Sequence, residues 1–286
     1  MIVQNLNAAR ARGAYGFRLT GIPEPDPLLV DAPPGWPALE VRAHLHTGPA
    51  PAEAFGEDSA CLPLRTGGWV EFERAAGRVT FWLAEPLPPA AIAHPLLGVA
   101  AIVPAFWLDR ESFHAAAFEH DGGAWAVVAD REAGKSSLIA TLALAGVPVV
   151  CDDILVLDRL TALAGPRSVD LREPAAVALG AGEPLGRIGD RDRWRLPLGP
   201  VAPELPLRGW ITLRWSEEPA VRRLGGSDRL RAIAAHRAFL LGTPDPGWLL
   251  ELSSLPVLEF SRPRRWDAAG EAAQRLLEAL TRAAPG

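Results

Sequence analysis

Residues 129–136 read Ala129-Asp130-Arg131-Glu132-Ala133-Gly134-Lys135-Ser136 and fit the pattern [AG]-x-x-x-x-G-K-[ST], a loop suited to holding phosphate. Backbone N–H groups at such a turn and at the following helix start point inward at an anion, and the helix dipole adds favourable potential. Gly134 lets the backbone approach a phosphate with no Cβ in the way. Lys135 is expected to reach the β- and γ-phosphates, and the Ser136 hydroxyl to ligate Mg2+. Two departures stand out: Ala129 replaces the usual first glycine, and Asp130 and Glu132 bring negative charge that Arg131 offsets only in part. Lys135 has a further distinction. Of 29 basic residues, 28 are arginine and Lys135 is the one lysine, while asparagine is limited to Asn5 and Asn7. Both features point to a GC-rich genome that favours arginine codons, so a lone lysine marks a place where a guanidinium cannot stand in for an ammonium.

Asp152-Asp153 is the second element. Paired carboxylates that end an apolar strand are costly unless they bind a cation, share a proton or face water. Beside a phosphate loop, one acid is expected to hold Mg2+ while the other takes a proton from an attacking hydroxyl. His44 and His46 alternate on a strand, but no third candidate ligand lies near them, so no metal site is expected there.

The elements that must position these groups follow from the pattern around them. Trp125–Ala129 reads as a buried strand, Asp130–Gly134 as a polar turn and Lys135–Ala145 as a helix with Gly146 as its C-cap. Val147–Cys151 is a second apolar strand, and together these make a βαβ unit with a parallel pair. Ile154–Leu157 and Ala162–Leu171 can form a hairpin through Asp158–Thr161, which brings Asp170 back toward Asp152. Arg208–Trp215 and Pro256–Phe260 read as strands. Asp228–Leu241, with Ser227 as N-cap, and Asp267–Ala284 read as amphipathic helices. Residues 1–110 are β-rich and punctuated by proline, with strands at Tyr15–Thr20, Ala38–Leu45, Trp69–Arg74 and Arg78–Leu83. The last two are joined by Ala75-Ala76-Gly77, a bulged-hairpin loop. The expected class is therefore α/β, with a β-rich N-terminal domain over 1–110 and a phosphate-loop domain over 111–286.

Composition bounds the function. The 286 residues carry 29 Lys+Arg against 34 Asp+Glu, a net charge of −5 that gives no electrostatic reason to expect nucleic acid or an anionic membrane as partner. Cys61 and Cys151 are too few for a disulfide scaffold and fit a reducing cytoplasm. Met1 to Phe17 holds no apolar stretch of a secretory signal. Pro95–Leu108, broken by Gly98 and Pro104, is too short to cross a bilayer and reads as buried core.

His114-Ala115-Ala116-Ala117, the 129–137 segment A-D-R-E-A-G-K-S-S and V-P-V-V-C-D-D at 147–153 resemble the kinase domain of HPr kinase/phosphorylase. They look still closer to the HPr-kinase-like enzymes of peptide natural-product clusters, such as lasso-peptide kinases. The resemblance covers residues 110–175. It implies a P-loop kinase core that uses ATP and Mg2+, with Ala129 to Ser137 around the nucleotide and Lys135 and Ser136 at the triphosphate and metal. It implies Asp152 as general base, Asp153 as its acidic neighbour at the metal, and His114 beside the reacting phosphate or base. Asp170, in Asp170-Leu171-Arg172-Glu173, resembles a second metal-side carboxylate of that family. The long capture signature of true HPr kinases is not recognisable here, so neither HPr as acceptor nor the reverse phosphorolysis is expected.

Arg187, Arg191, Arg193 and Arg195 form a basic segment around Trp194, in which Arg193 or Arg195 could neutralise charge on a transferring phosphoryl group. The leading expectation is an ATP-dependent serine kinase acting on a peptide, protein or small-alcohol hydroxyl, with a homo-oligomer left open. Two alternatives stand beside it: a catalytically decayed nucleotide-binding regulatory module, and a P-loop ATPase or GTPase.

Overall fold

The computed structural model describes residues 11–22, 27–65, 67–188, 191–240 and 245–283. Its first part is a mixed sheet of short strands: β1 (Arg12–Ala14), β2 (Phe17–Thr20), β3 (Val30–Asp31), β4 (Ala38–Leu45), β5 (Ala54–Phe55), β6 (Ser59–Pro63), β7 (Gly68–Glu73) and β8 (Arg78–Leu83). The spatial order is β3-β1-β2-β4-β8-β7-β6-β5, and the central β4 runs parallel to both neighbours. The expected β7–β8 hairpin is present, with Gly77 at φ 54°. The expected strand at Tyr15–Thr20 begins later. Tyr15 and Gly16, at φ 56° and 79°, are instead the two-residue turn between β1 and β2, a backbone whose twist suits a tight hairpin.

Pro89–Trp107 follows as one apolar helical stretch: α1 (Pro89–Ala91), a π-helical turn at Ile92–Leu96 and α2 (Leu97–Trp107). By length and composition it could span a bilayer, but more than half of it is buried inside the fold. Leu97, Ala100, Ala101, Val103 and Ala105 are all buried, and α2 packs against β7 on one side and against β9 (Glu111–Phe113) and β13 (Leu155–Asp158) on the other. The apolar run expected to be core is core, in helical form.

The second sheet contains β9, β10 (Ala115–His120), β11 (Gly123–Val128), β12 (Val149–Cys151), β13 and β14 (Thr161–Leu163). Helix α3 (Lys135–Leu144) joins β11 to β12. A small antiparallel sheet follows, formed by β15 (Ser168–Leu171), β16 (Glu183–Ile188) and β17 (Arg191–Pro197), with α4 (Glu173–Leu179) between its first two strands. The chain then returns to the second sheet as β18 (Glu204–Trp215), β19 (Ala220–Arg223) and β20 (Val257–Arg262), with α5 (Gly226–Ala234), α6 (Pro246–Ser254) and α7 (Ala269–Ala283) around them.

Several expectations shift here. β11 and β12 are not neighbours: β10 lies between them, antiparallel to both, because it closes a local hairpin with β11 through Asp121 and Gly122. The parallel partner of β11 is β18, and β20 follows on the far side. The β13–β14 hairpin exists, but Ala162–Leu171 is two strands, and Asp170 belongs to the small sheet. Helix α5 ends at Ala234, Gly225 rather than Ser227 is its N-cap, and the expected helix ends at Leu241 and Ala284 lie outside the described residues.

All six β11 residues are buried, which explains a run of apolar residues with no polar alternation. Ala124, Ala126 and Val128 face the larger core shared with α2 and the first sheet, while Trp125 and Val127 face the core under α3 and α7. On α7 the residues Ala272, Ala273, Leu276 and Leu280 close that second layer at helical spacing. The larger core runs without a break from Ala14 to Val257.

Candidate nucleotide site

The loop from Ala129 to Gly134 leaves the buried end of β11 and enters α3. Glu132 and Gly134 adopt left-handed backbone, at φ 67° and 79°. Gly134 is the N-cap and offers no side chain, so the first amides of α3 have no side-chain acceptor. Space enforces the glycine as well as φ: a Cβ there would lie 2.7 Å from Arg262 Nη2 and 2.9 Å from the Trp215 ring. Ala129 is not among the residues with positive φ, so an alanine fits where the pattern has glycine. Asp130, Arg131 and Glu132 are exposed, and Glu132 pairs outward with Arg172 Nη1 at 3.1 Å, while Ala133, Lys135, Ser136 and Ser137 are half-buried.

Across from the helix start, β12 ends in the acid pair. Asp152 is 3% exposed, and its Oδ1 accepts from Ser136 Oγ at 3.2 Å. Asp153 has φ 69° and is exposed, and Ile154 N donates back to Asp152 O at 2.9 Å. That kink turns two adjacent carboxylates to different surroundings. Burial pushes the Asp152 pKa up, Lys135 pulls it down, and Asp153 raises it further. His114 follows β9. The residue keeps contact with solvent, yet crowding around its ring lowers the pKa, with Asp153 opposing and Lys135 adding to the fall. Lys135, Ser136, Asp152, Asp153 and His114 thus lie within hydrogen-bond or electrostatic reach of one another at the start of α3.

No protein-family model matches this chain, and no curated protein does. Among solved structures it is similar to the Hpr(Ser) kinase/phosphatase from Coxiella burnetii, at 13% identity over 60% of this chain and 98% of that one, with a TM-score of 0.31. At that score the site rests on its own geometry.

Asp170, expected on the metal side, lies on β15. Its register partner across β15–β17 is Arg195, whose Nε and Nη2 bind Oδ1 and Oδ2 at 2.9 and 3.0 Å. The Asp170 side chain is 1% exposed and both its oxygens are engaged, so the acid is already neutralised. Arg195 is equally committed, donating also to the carbonyls of Ala90 and His94 at 2.8 and 2.5 Å. Arg193, two residues earlier on the same strand, has its Nη1 3.8 Å from Asp170 Oδ2 and a buried Nε with no hydrogen-bond partner among the described residues.

Among the described residues, no three His, Cys, Asp or Glu side chains gather into a metal cluster. Mg2+ in a nucleotide site draws most of its ligands from phosphate and water and needs only one or two protein oxygens. Ser136 Oγ beside an uncapped helix start, with the exposed Asp153 carboxylate next to Asp152 at the end of the facing strand, fits that donor set.

Four further residues reach the site from distant segments. His236 is joined to His114 by the bond from His114 N to His236 O at 2.7 Å, within a bridge that pairs Phe113 with Arg237. The buried pair Arg237–Glu111, at 3.0 Å through both nitrogens, holds that bridge. Enclosure lowers the His236 pKa, Asp130 opposes, and Lys135 and His114 add to the lowering. His94, 2% exposed, lies 4.0 Å from Asp170 Oδ2, and its Nδ1 has no hydrogen-bond partner among the described residues. Tyr15 brings a buried hydroxyl from the first sheet, and Arg262 lies under the loop. No local sequence pattern marks these four residues, whereas the alternation Arg191, Arg193, Arg195 does mark strand β17, which carries Arg193 and Arg195.

Proposed function

We propose that the chain is an ATP-dependent kinase that transfers the γ-phosphoryl group to a serine-type hydroxyl of a peptide or protein, with a small alcohol as the other acceptor class. The observation that carries this reading is the contact between Ser136 Oγ and Asp152 Oδ1 at 3.2 Å beside a helix start with no cap of its own. In this reading the amides of residues 134–136 and the Lys135 ammonium hold the triphosphate. Ser136 and Asp153 would hold Mg2+, which when bound neutralises phosphate charge. Asp152, whose pKa is raised by burial, takes the hydroxyl proton as the acceptor oxygen bonds to the γ-phosphorus and the bond from that phosphorus to the ADP oxygen breaks. His114 lies beside Lys135 and Asp153 and orients the entering group. Arg193 has donors to offer the transferring phosphoryl group, whereas those of Arg195 are spent on Asp170 and two carbonyls.

A second reading draws on Asp170. With both oxygens bound by Arg195, it leaves the metal side poorer in acid than a full kinase site, which favours a nucleotide-binding module without transfer. Calorimetry with ATP, run beside a radiolabelled γ-phosphate transfer assay with serine-containing peptides, separates the readings. Binding with transfer supports the kinase. Binding with neither transfer nor hydrolysis selects the module, and phosphate release without any acceptor selects an ATPase.

A further inference from the structure

Arg262 is 5% exposed and sits directly beneath the phosphate loop, at the end of β20. Its Nη2 donates to the Ala133 carbonyl at 3.0 Å and to the Gly134 carbonyl at 2.8 Å. Its Cζ lies 4.4 Å from the centroid of Trp215, which is its register partner on the parallel strand β18. Ser216 N donates to the Arg262 carbonyl at 2.9 Å, so its backbone is tied as well.

We propose that Arg262 is a positioning residue of the phosphate loop, holding the Ala133 and Gly134 carbonyls down toward the protein so that the Gly134 and Lys135 amides face a bound phosphate. The reason lies in the peptide plane. In a trans peptide the C=O of one residue and the N–H of the next point in opposite directions. A donor that fixes the Ala133 carbonyl therefore fixes the Gly134 N–H, and the same holds for the Gly134 carbonyl and the Lys135 N–H. Gly134 O also accepts from Leu138 N at 3.0 Å, which places it on the helix ladder and sends the Lys135 N–H off the open end of α3.

A second, independent observation points to an anionic ligand. Arg262 is a buried cation with no carboxylate paired to it among the described residues, and its Nη1 is buried without a hydrogen-bond partner. Burial lowers its pKa to about 10, so it stays charged at neutral pH. A buried charge without a counter-charge is costly. A polyphosphate on the other side of the loop would supply that counter-charge.

This inference rests on the nucleotide reading of the loop, and the test keeps the two apart. The full chain, wild type and Arg262→Met, is titrated calorimetrically with ATP and with inorganic pyrophosphate, which lacks base and sugar. Wild type is expected to bind both. Arg262→Met is expected to weaken both by about 10- to 100-fold, as for loss of charge-assisted hydrogen bonds, and to speed amide exchange at Gly134 and Lys135. Arg262→Lys, which keeps the charge but cannot stack and fork, is expected to restore part of the affinity. Wild-type protein that binds neither probe overturns the nucleotide reading itself. Wild-type binding with unchanged affinity in a folded Arg262→Met overturns the role of Arg262 alone. Should Arg262→Met not fold, Arg262→Lys decides: an affinity loss of about three- to tenfold supports the inference, and wild-type affinity overturns it.

Discussion

Asp152 and Asp170 lie within electrostatic reach of each other, both almost without solvent, and the molecule treats them in opposite ways. Asp170 receives two nitrogens of Arg195 in a flat fork. Asp152 receives one hydroxyl, from Ser136, and its burial is left uncompensated enough to raise its pKa. A carboxylate neutralised by a buried arginine holds the fold together, while one kept short of partners keeps capacity for a ligand or a proton. Under the proposed function Asp170 is the structural acid and Asp152 the chemical one, and the difference lies in what surrounds each.

The largest expected effect tests the chemical acid. Asp152→Asn keeps the shape and the bond from Ser136, but removes the proton acceptor. Transfer is expected to fall by about 10²–10⁴-fold with ATP affinity retained, the range for loss of a general base. A transfer assay at saturating ATP measures it, and full activity would move the base to Asp153 or His114. Lys135→Ala is the companion control: the fold should persist while ATP binding collapses, as read by calorimetry.

The structural acid is tested next. Arg195→Leu leaves the Asp170 carboxylate buried and unpaired and also frees the carbonyls of Ala90 and His94. Loss of one partner of a buried pair costs about 3–5 kcal/mol. Chemical denaturation should show that loss, and Asp170→Asn in the same background should recover part of it by removing the stranded charge. If instead Asp170→Asn alone changes the Mg2+ dependence of ATP binding, Asp170 is a metal-side ligand after all and the comparison with Asp152 fails.

How far the sequence reveals this contrast depends on chain distance. The phosphate loop is legible because strand end, turn and helix start are contiguous, and because Gly134 and Lys135 have no neutral substitutes there. The acid pair at 152–153 is legible as charge ending an apolar strand. The fate of Asp170 is not, since its partner arrives on β17 from beyond α4 and β16. Arg262 and Trp215 meet only through the parallel register of β18 and β20, and His236 meets His114 only through a single bridge. Likewise the turn at Tyr15-Gly16 reads as strand, because tyrosine is a strand former and nothing local announces its left-handed backbone.

Linkage gives a pH test of the same contrast. The folded-state pKa of Asp152 lies above its unfolded value, so between those two values the folded state binds more protons than the unfolded one. Stability then falls as pH rises through that window. Asp152→Asn removes this fall: without nucleotide or divalent cation, the variant should be more stable than wild type at neutral pH and equal to it in acid, below the ordinary aspartate pKa of 3.8. Thermal midpoints at both pH values check the sign, and a variant less stable at neutral pH would mean that the carboxylate is better compensated than Ser136 and Lys135 can account for.

The smallest expected effect concerns Tyr15, which the first sheet inserts toward the same acids. Its amide donates to the Ala164 carbonyl at 2.7 Å, the residue is 1% exposed and its hydroxyl is buried with no hydrogen-bond partner among the described residues. Burial raises its pKa, and Cys151, Asp153 and Asp152 raise it further, so the phenol stays protonated. An unpaired buried hydroxyl costs about 1–3 kcal/mol of desolvation relative to an apolar group of the same shape. Tyr15→Phe keeps the ring and the turn and removes that cost, so it should leave stability unchanged or raise it, and leave transfer unchanged. A stability loss beyond about 1 kcal/mol, the worth of an average hydrogen bond, would mean that water links this hydroxyl to the acid pair. The first sheet would then take part in the chemistry proposed for Asp152.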